Sequence, residues 1–133
     1  MTNIRDISDV IKLHDSIVEN FGGLPGVRDE HLLASALERA FIGMADGTEF
    51  FPTIEAKAGV LIQSLIKFHP FVDGNKRTGT AITQIYLLES GYQWNFTQTE
   101  IVDFAIGVAG NKFTLEEITD WIKQRIKSIG RRD

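Results

Sequence analysis

The residue types best suited to chemistry in this chain stand together at residues 69–78, which read His-Pro-Phe-Val-Asp-Gly-Asn-Lys-Arg-Thr. This segment lies between two stretches that have the apolar spacing of helices. A loop that ends in Gly-Asn and opens a helix exposes unpaired N–H groups at the positive end of the helix dipole, where phosphate is the usual ligand. Lys76 and Arg77 would oppose that dipole unless an anion neutralised them. The segment therefore predicts a phosphate-binding site.

Each residue type in this segment suits one part of a phosphate-transfer site. His69 can take up a proton near neutral pH and act as a general base, and Asp73 is a hard oxygen ligand for Mg²⁺. Phe71 is expected to enter the core and anchor the loop. The candidate nucleotide- or phosphate-binding residues are Gly74, Asn75, Lys76, Arg77 and Thr78. A base, a metal carboxylate and an anion cradle are the parts needed for attack of a hydroxyl on a nucleotide phosphate.

Length and composition predict one domain, 1–133, in the cytoplasm. The chain has 133 residues, of which 43% are hydrophobic, enough for a sizeable core. A net charge of -4 gives no bulk attraction to nucleic acid, and no direct nucleic-acid partner is expected. Without cysteine there are no disulfides and no thiolate chemistry. No apolar run approaches the roughly 20 residues of a membrane span, and no signal-peptide pattern opens the chain.

Apolar periodicity predicts an all-α bundle of about six helices with short connections. The first four are expected over about 7–21, after the N-cap Asp29, over about 53–68 and over about 75–89. Capping boxes that begin at Thr97 and Thr114 open the fifth and sixth helices, which should end near Gly110 and Gly130.

Two segments of the chain do not hold a helical period. Residues 41–52 carry two glycines among apolar residues and are expected to form a loop or a short hairpin. Residues 92–96 alternate weakly and are expected to form a short extended piece.

The three histidines call for different interpretations. His14 falls on the apolar stripe of the first helix and is better explained as a satisfied core histidine than as a ligand. His31 is expected at the surface. Taken alone, His69 could be a capping or core histidine, but its polar and charged neighbours favour the catalytic interpretation. Scattered histidines without cysteine give no zinc pattern.

Residues 69–77 resemble the motif of the Fic/Doc family, His-x-Phe-x-Asp/Glu-Gly-Asn-x-Arg, and contain every specified residue of it. The likeness continues in Leu13-His14, in the run Gly-Gly-Leu-Pro-Gly at 22–26 and in Arg28-Asp29, which resemble the first part of Doc-type (death-on-curing) toxins. The resemblance implies a Fic/Doc-like fold. In that fold, residues 41–52 would be a flap that aligns a target peptide by strand-like pairing.

The same resemblance implies an enzyme. It would be a Doc-like toxin that uses ATP and Mg²⁺ to phosphorylate a hydroxyl of a protein target. The resemblance implies a translation elongation factor, such as elongation factor Tu, as that target. His69 would be its base, Asp73 its metal ligand and residues 74–78 its phosphate-binding residues. No clear Ser/Thr-x-x-x-Glu inhibitory motif stands next to the site. An antitoxin is therefore expected to inhibit the protein by inserting an amphipathic segment into a groove.

Two alternatives stay open. Lys76 and Thr80 stand where adenylylating Fic enzymes usually have Gly and a second Arg, which points to the Doc branch. Lys76 would fill the space that Gly leaves open for the α-phosphate. A nucleotide could therefore bind in the reverse orientation. Gly74, where Doc toxins usually have Ala, and the His-Pro-Phe triplet are instead Fic-like. The transferred group is thus phosphate or, alternatively, AMP. The other alternative is a non-catalytic nucleotide- or partner-binding module, against which the intact His69 argues.

Overall fold

A computed structural model describes residues 2–130 of the chain, and this part contains six α-helices. In chain order the elements are α1 (Ile7–Phe21), α2 (Glu30–Glu38), a 3-10 turn (Arg39–Phe41), α3 (Ile54–Lys67), α4 (Asn75–Glu89), β1 (Tyr92–Trp94), α5 (Gln98–Ala109), α6 (Leu115–Lys123) and β2 (Ile126–Ser128). The all-α prediction is confirmed. Within residues 2–130, none of the helices combines the length and the hydropathy that crossing a membrane requires.

The beginnings of the helices follow from side-chain caps, with one exception. Five helices start after an Asp or Thr whose side chain accepts a main-chain N–H of the first turn. Both predicted capping boxes, at Thr97 and Thr114, are formed. Helix α4 is the exception, because it follows Gly74 and has no side-chain cap among the described residues.

Helix α3 lies at the centre of the molecule and packs against α2, α4, α5 and α6. Its apolar residues enter two buried clusters. One cluster, which includes Leu61 and Leu65, contains side chains of α1, α2 and α4 together with Phe71. The other, which includes Ile62 and Ile66, contains side chains of α5 and α6. Being buried on two sides, α3 gives the loop at its end a rigid base.

The end of the sixth helix differs from the prediction. Helix α6 stops at Lys123 rather than near Gly130, and Ile126–Ser128 pairs antiparallel with Tyr92–Trp94. The isoleucines after Lys123 continue the apolar spacing of the helix, but they are β-branched and suit a strand equally well. Pairing with β1 satisfies main-chain groups of both segments, so this longer-range contact, rather than the local apolar spacing, determines the structure of the segment. The extended piece predicted at 92–96 is confirmed over the three residues of β1.

Residues 42–50 form a small hairpin-like turn, as the sequence predicts. Met44 N–H donates to the Thr48 carbonyl (2.7 Å), and Phe50 N–H donates to the Ile42 carbonyl (3.2 Å). An ion pair between Lys57 of α3 and Glu49 (3.1 Å) holds this turn against the helix.

Candidate functional site

Residues 69–74 join the end of α3 to the start of α4, and Phe71 fixes this loop in the core. Its ring is 1% exposed and stacks on the His14 ring of α1, with centroids 3.8 Å apart. The Asn75 side chain closes the loop, because its Oδ1 accepts Phe71 N–H and its Nδ2 donates to the Phe71 carbonyl, both at 3.0 Å. The loop conformation is thus set by one buried ring and one buried amide.

A second segment, residues 22–29, runs beside the loop and is bonded to it through the main chain. Val72 N–H donates to the Gly26 carbonyl (3.0 Å), and Arg28 N–H donates to the Pro70 carbonyl (2.7 Å). A β-bridge links Val27 with Phe71. Two stretches that are distant in sequence, 22–29 and 69–74, therefore build one surface around the motif.

His69 stands exposed at the edge of this surface in an unusual backbone conformation. Its φ of 49° lies in the left-handed region, which costs a residue other than glycine about 1–3 kcal/mol. Its Nδ1 is 3.4 Å from Asn75 Nδ2. The imidazole therefore points along the loop toward the start of α4.

Asp73 carries a carboxylate that is ionised at neutral pH. Its Oδ2 accepts Leu24 N–H (3.1 Å) and its Oδ1 accepts Gly74 N–H (2.8 Å). These two bonds, the Leu24 bond first, lower the pKa of Asp73 from its ordinary value of 3.8. The side chain is exposed, and lone pairs on both oxygens remain for a cation.

The residues of the site fit a Mg²⁺ ion that arrives with a nucleotide. Among residues 2–130, no group of three or more His, Cys, Asp or Glu side chains could enclose a metal. A single carboxylate is nevertheless sufficient for Mg²⁺, which usually takes one or two carboxylates together with phosphate oxygens and water. Asp73 would be that carboxylate.

The start of α4 forms one wall of a polar cavity of about 260 Å³. Gly74 has a φ of 79°, and the exposed side chains of Lys76 and Arg77 follow it in the first turn. The Arg77 guanidinium lies 4.5 Å from the centroid of the Phe21 ring. The cavity is lined by Gly22, His69, Val72, Asp73, Gly74, Asn75, Lys76 and Arg77. The structure thus places the predicted base, the carboxylate and both cations around one space.

Two of the residues predicted to bind phosphate are placed differently. Thr78 is fully buried and does not line the cavity, so its position gives no support to the predicted contact with phosphate. The side chain turns inward because its position in α4 faces the interior of the bundle. Asn75 is 7% exposed and its side-chain amide is bonded to the loop, which leaves its main-chain N–H for an anion.

Sequence reasoning missed three contributors to the site. Leu24 acts through its main-chain N–H, and Arg28 donates from its side chain to the His69 carbonyl. His14 is a buried core histidine, as predicted, but its Nε2 also lies 2.7 Å from the Asp73 carbonyl oxygen. The turn residues at 22–26 were a signal for a tight loop, but nothing local in the sequence shows which distant segment that loop contacts.

Comparison with known proteins finds similarity over most of the chain. The model of the Fic/DOC family matches residues 5–87, a range that contains every residue lining the polar cavity. The protein named Protein kinase doc, from Escherichia phage P1, is 29% identical over 125 residues, which cover 91% of this chain and 95% of that protein. Toxin Doc of Mycolicibacterium smegmatis (strain ATCC 700084 / mc(2)155) is 40% identical over 93 residues, covering 70% of this chain and 68% of that protein. Because the family model spans more than half of the chain, this protein belongs to the Fic/DOC family.

Proposed function

We propose that this protein is a toxin-type kinase that transfers the γ-phosphate of ATP to a hydroxyl of a protein. The observation that carries the proposal is the polar cavity at the uncapped start of α4, where His69, Asp73 and two cations line the same space. The names of the two Doc relatives, a protein kinase and a toxin, support the same reaction.

Residues that line the polar cavity have separate roles in this proposal. The His69 imidazole accepts the proton of the attacking hydroxyl, and Asp73 would hold a Mg²⁺ ion that accompanies the nucleotide. Lys76, Arg77 and the main-chain N–H of Asn75 surround the phosphates with positive charge. Gly74, which has no side chain, lets the phosphates approach the start of α4. Such transfers depend mainly on positioning and on stabilising negative charge, which is what these groups supply. Bound Mg²⁺ would contribute by neutralising charge on the phosphate oxygens.

A neighbouring cavity supports ATP as the phosphate donor. This second cavity, of about 320 Å³, shares Lys76 and Arg77 with the polar one, and its other walls come from α4 and α5. Those walls are mostly apolar, with Ile101, Val102, Ala105 and Ile106 from α5. A polar space next to an apolar one suits the triphosphate and the adenosine of one nucleotide.

The target and the partner follow from the family resemblance. We propose a translation elongation factor such as elongation factor Tu as the protein substrate, in the cytoplasm. The turn at 42–50 would align the target segment beside His69. An antitoxin would inhibit the protein by laying an amphipathic segment in a groove next to the site.

Incubation of the protein with γ-labelled ATP, Mg²⁺ and elongation factor Tu tests the reaction. We expect label on the factor, and mass spectrometry should show the gain of one phosphate. His69→Ala should abolish the transfer, whereas His31→Ala, at an exposed histidine of α2, should not change it. Gain of AMP by the factor would show adenylylation instead. Binding of ATP·Mg²⁺ without any turnover would show a binding module.

A further inference from the structure

At the C-terminal end of α3, a proline stands at the position where a common closing motif of helices needs an N–H donor. Phe68 is the C-cap residue, His69 follows it in the left-handed region, and Pro70 comes next. In the common closing motif, the residue at the position of Pro70 donates its N–H back to the last turn. Proline has no N–H, so this bond cannot form here. The terminal carbonyls need another donor.

Arg28 supplies that donor from the neighbouring segment. Its Nη2 donates to the Phe68 carbonyl (2.7 Å), and its Nε donates to the His69 carbonyl (2.6 Å). The planar guanidinium thus binds two consecutive carbonyls, and its positive charge lies at the negative end of the α3 dipole.

The position of Arg28 is itself fixed by main-chain bonds. The N–H groups of Arg28 and Asp29 both donate to the Pro70 carbonyl, at 2.7 and 3.1 Å. Asp29 caps α2 by accepting Leu32 N–H at 3.0 Å. The guanidinium is therefore held in place by α2 on one side and by the loop on the other.

We infer that Arg28 is a positioning residue for His69. By binding the carbonyls on both sides of the His69 main-chain N–H, it holds the backbone in the left-handed region and so sets the direction of the imidazole. This inference rests on the proposed role of His69 as the base. It assigns to Arg28 no contact with the nucleotide, because Arg28 does not line the polar cavity.

The kinetic test separates positioning from binding. In the elongation-factor assay, Arg28→Ala should lower kcat by about 100-fold, the loss typical of a displaced reacting group, and leave KM for ATP·Mg²⁺ unchanged. Arg28→Lys should recover part of kcat, because one ammonium can bind one of the two carbonyls. Arg5→Ala is the matched control, since Arg5 is exposed, its guanidinium lies over the Phe41 ring and it does not line the polar cavity. A kcat of Arg28→Ala equal to that of the control would overturn the inference.

NMR of the histidine side chains tests the inference even if no substrate is phosphorylated. The chain has three histidines, so the imidazole NMR signals of His69 can be assigned by comparison with His69→Ala. Arg28→Ala should shift the His69 signals and leave those of His31 in place. An inactive wild-type protein with this shift would refute the proposed function and keep the inference. Unchanged His69 signals in Arg28→Ala would overturn it.

Discussion

Asp73 shows how a single residue of the site is held by main-chain N–H groups and by a buried histidine. Its two carboxylate oxygens accept N–H groups from Leu24 and Gly74, and its carbonyl lies 2.7 Å from His14 Nε2. The carboxylate is thereby kept ionised and oriented while it remains exposed. Both conditions favour the cation-binding role that we propose for Asp73.

Replacing Asp73 by Asn should destabilise the protein in a pH-dependent way. The folded pKa of Asp73 is lowered, so its ionised form contributes stability above the ordinary value of 3.8, and that contribution disappears as pH falls through the folded pKa. An amide can accept only one of the two N–H groups, because its NH₂ is a donor. We expect Asp73→Asn to have a lower Tm than wild type at neutral pH and the difference to shrink below about pH 4.

Thermal denaturation followed by circular dichroism from neutral to acid pH measures this difference. Asp103→Asn, which removes the charge of an exposed carboxylate of α5, is the matched control. The role given to Asp73 would be wrong if the two variants followed the same curve. Calorimetry at neutral pH should also show that Asp73→Asn loses the Mg²⁺-dependent part of ATP binding.

Helix α4 is the element on which the site depends, and its first residue follows a glycine in the left-handed region. A methyl group added at Gly74 would lie 3.4 Å from His14 Nε2 and 3.5 Å from Val18 Cγ2, both ordinary contacts with α1. The space therefore allows alanine, and only the φ of 79° opposes it. The added group would face α1 and leave the cavity open.

We expect Gly74→Ala to cost about 1–2 kcal/mol of unfolding free energy and to leave the affinity for ATP·Mg²⁺ unchanged. Chemical denaturation gives the first quantity and isothermal calorimetry the second. Gly47→Ala is the control, because Gly47 has a φ of 93° in the exposed 42–50 turn with no atom within 4 Å of the added group. It should show a similar strain without any contact at the site. A clear loss of nucleotide affinity in Gly74→Ala alone would show that the methyl group disturbs the start of α4.

The helices could be predicted from sequence because their signals are local. The capping boxes that begin at Thr97 and Thr114 each involve only four consecutive residues, and both are formed at the starts of α5 and α6. The end of α6 could not be predicted, because the competing partner, Tyr92–Trp94, is more than 30 residues away. The same limit applies at the site. The motif identified the residues of the loop, whereas the donors from 22–29 depend on how α1 and α2 pack against α3 and α4.

Helix α3 packs on two sides in the molecule as a whole, and only one of these sides supports the site. The cluster shared with α1, α2 and α4 includes Phe71, so it supports the motif loop directly. The cluster shared with α5 and α6 has no residue of that loop. Because both clusters meet on one helix, loss of either lowers the global stability, but only the first is in contact with the site.

Substitution of one buried residue from each cluster can distinguish the effect of the two clusters on the site. Leu33 of α2 belongs to the cluster with Phe71 and is 0% exposed, and Ile118 of α6 belongs to the other cluster and is 1% exposed. Leu33→Ala and Ile118→Ala should each lower the unfolding free energy by about 2–5 kcal/mol. Native-state hydrogen exchange should then differ between them. The N–H groups of Phe71 and Val72 are both bonded within the site, and they should exchange faster in Leu33→Ala than in Ile118→Ala, relative to the global stability of each variant. Equal acceleration would mean that the two clusters open as one unit, and α3 would then not insulate the site from the far side of the core.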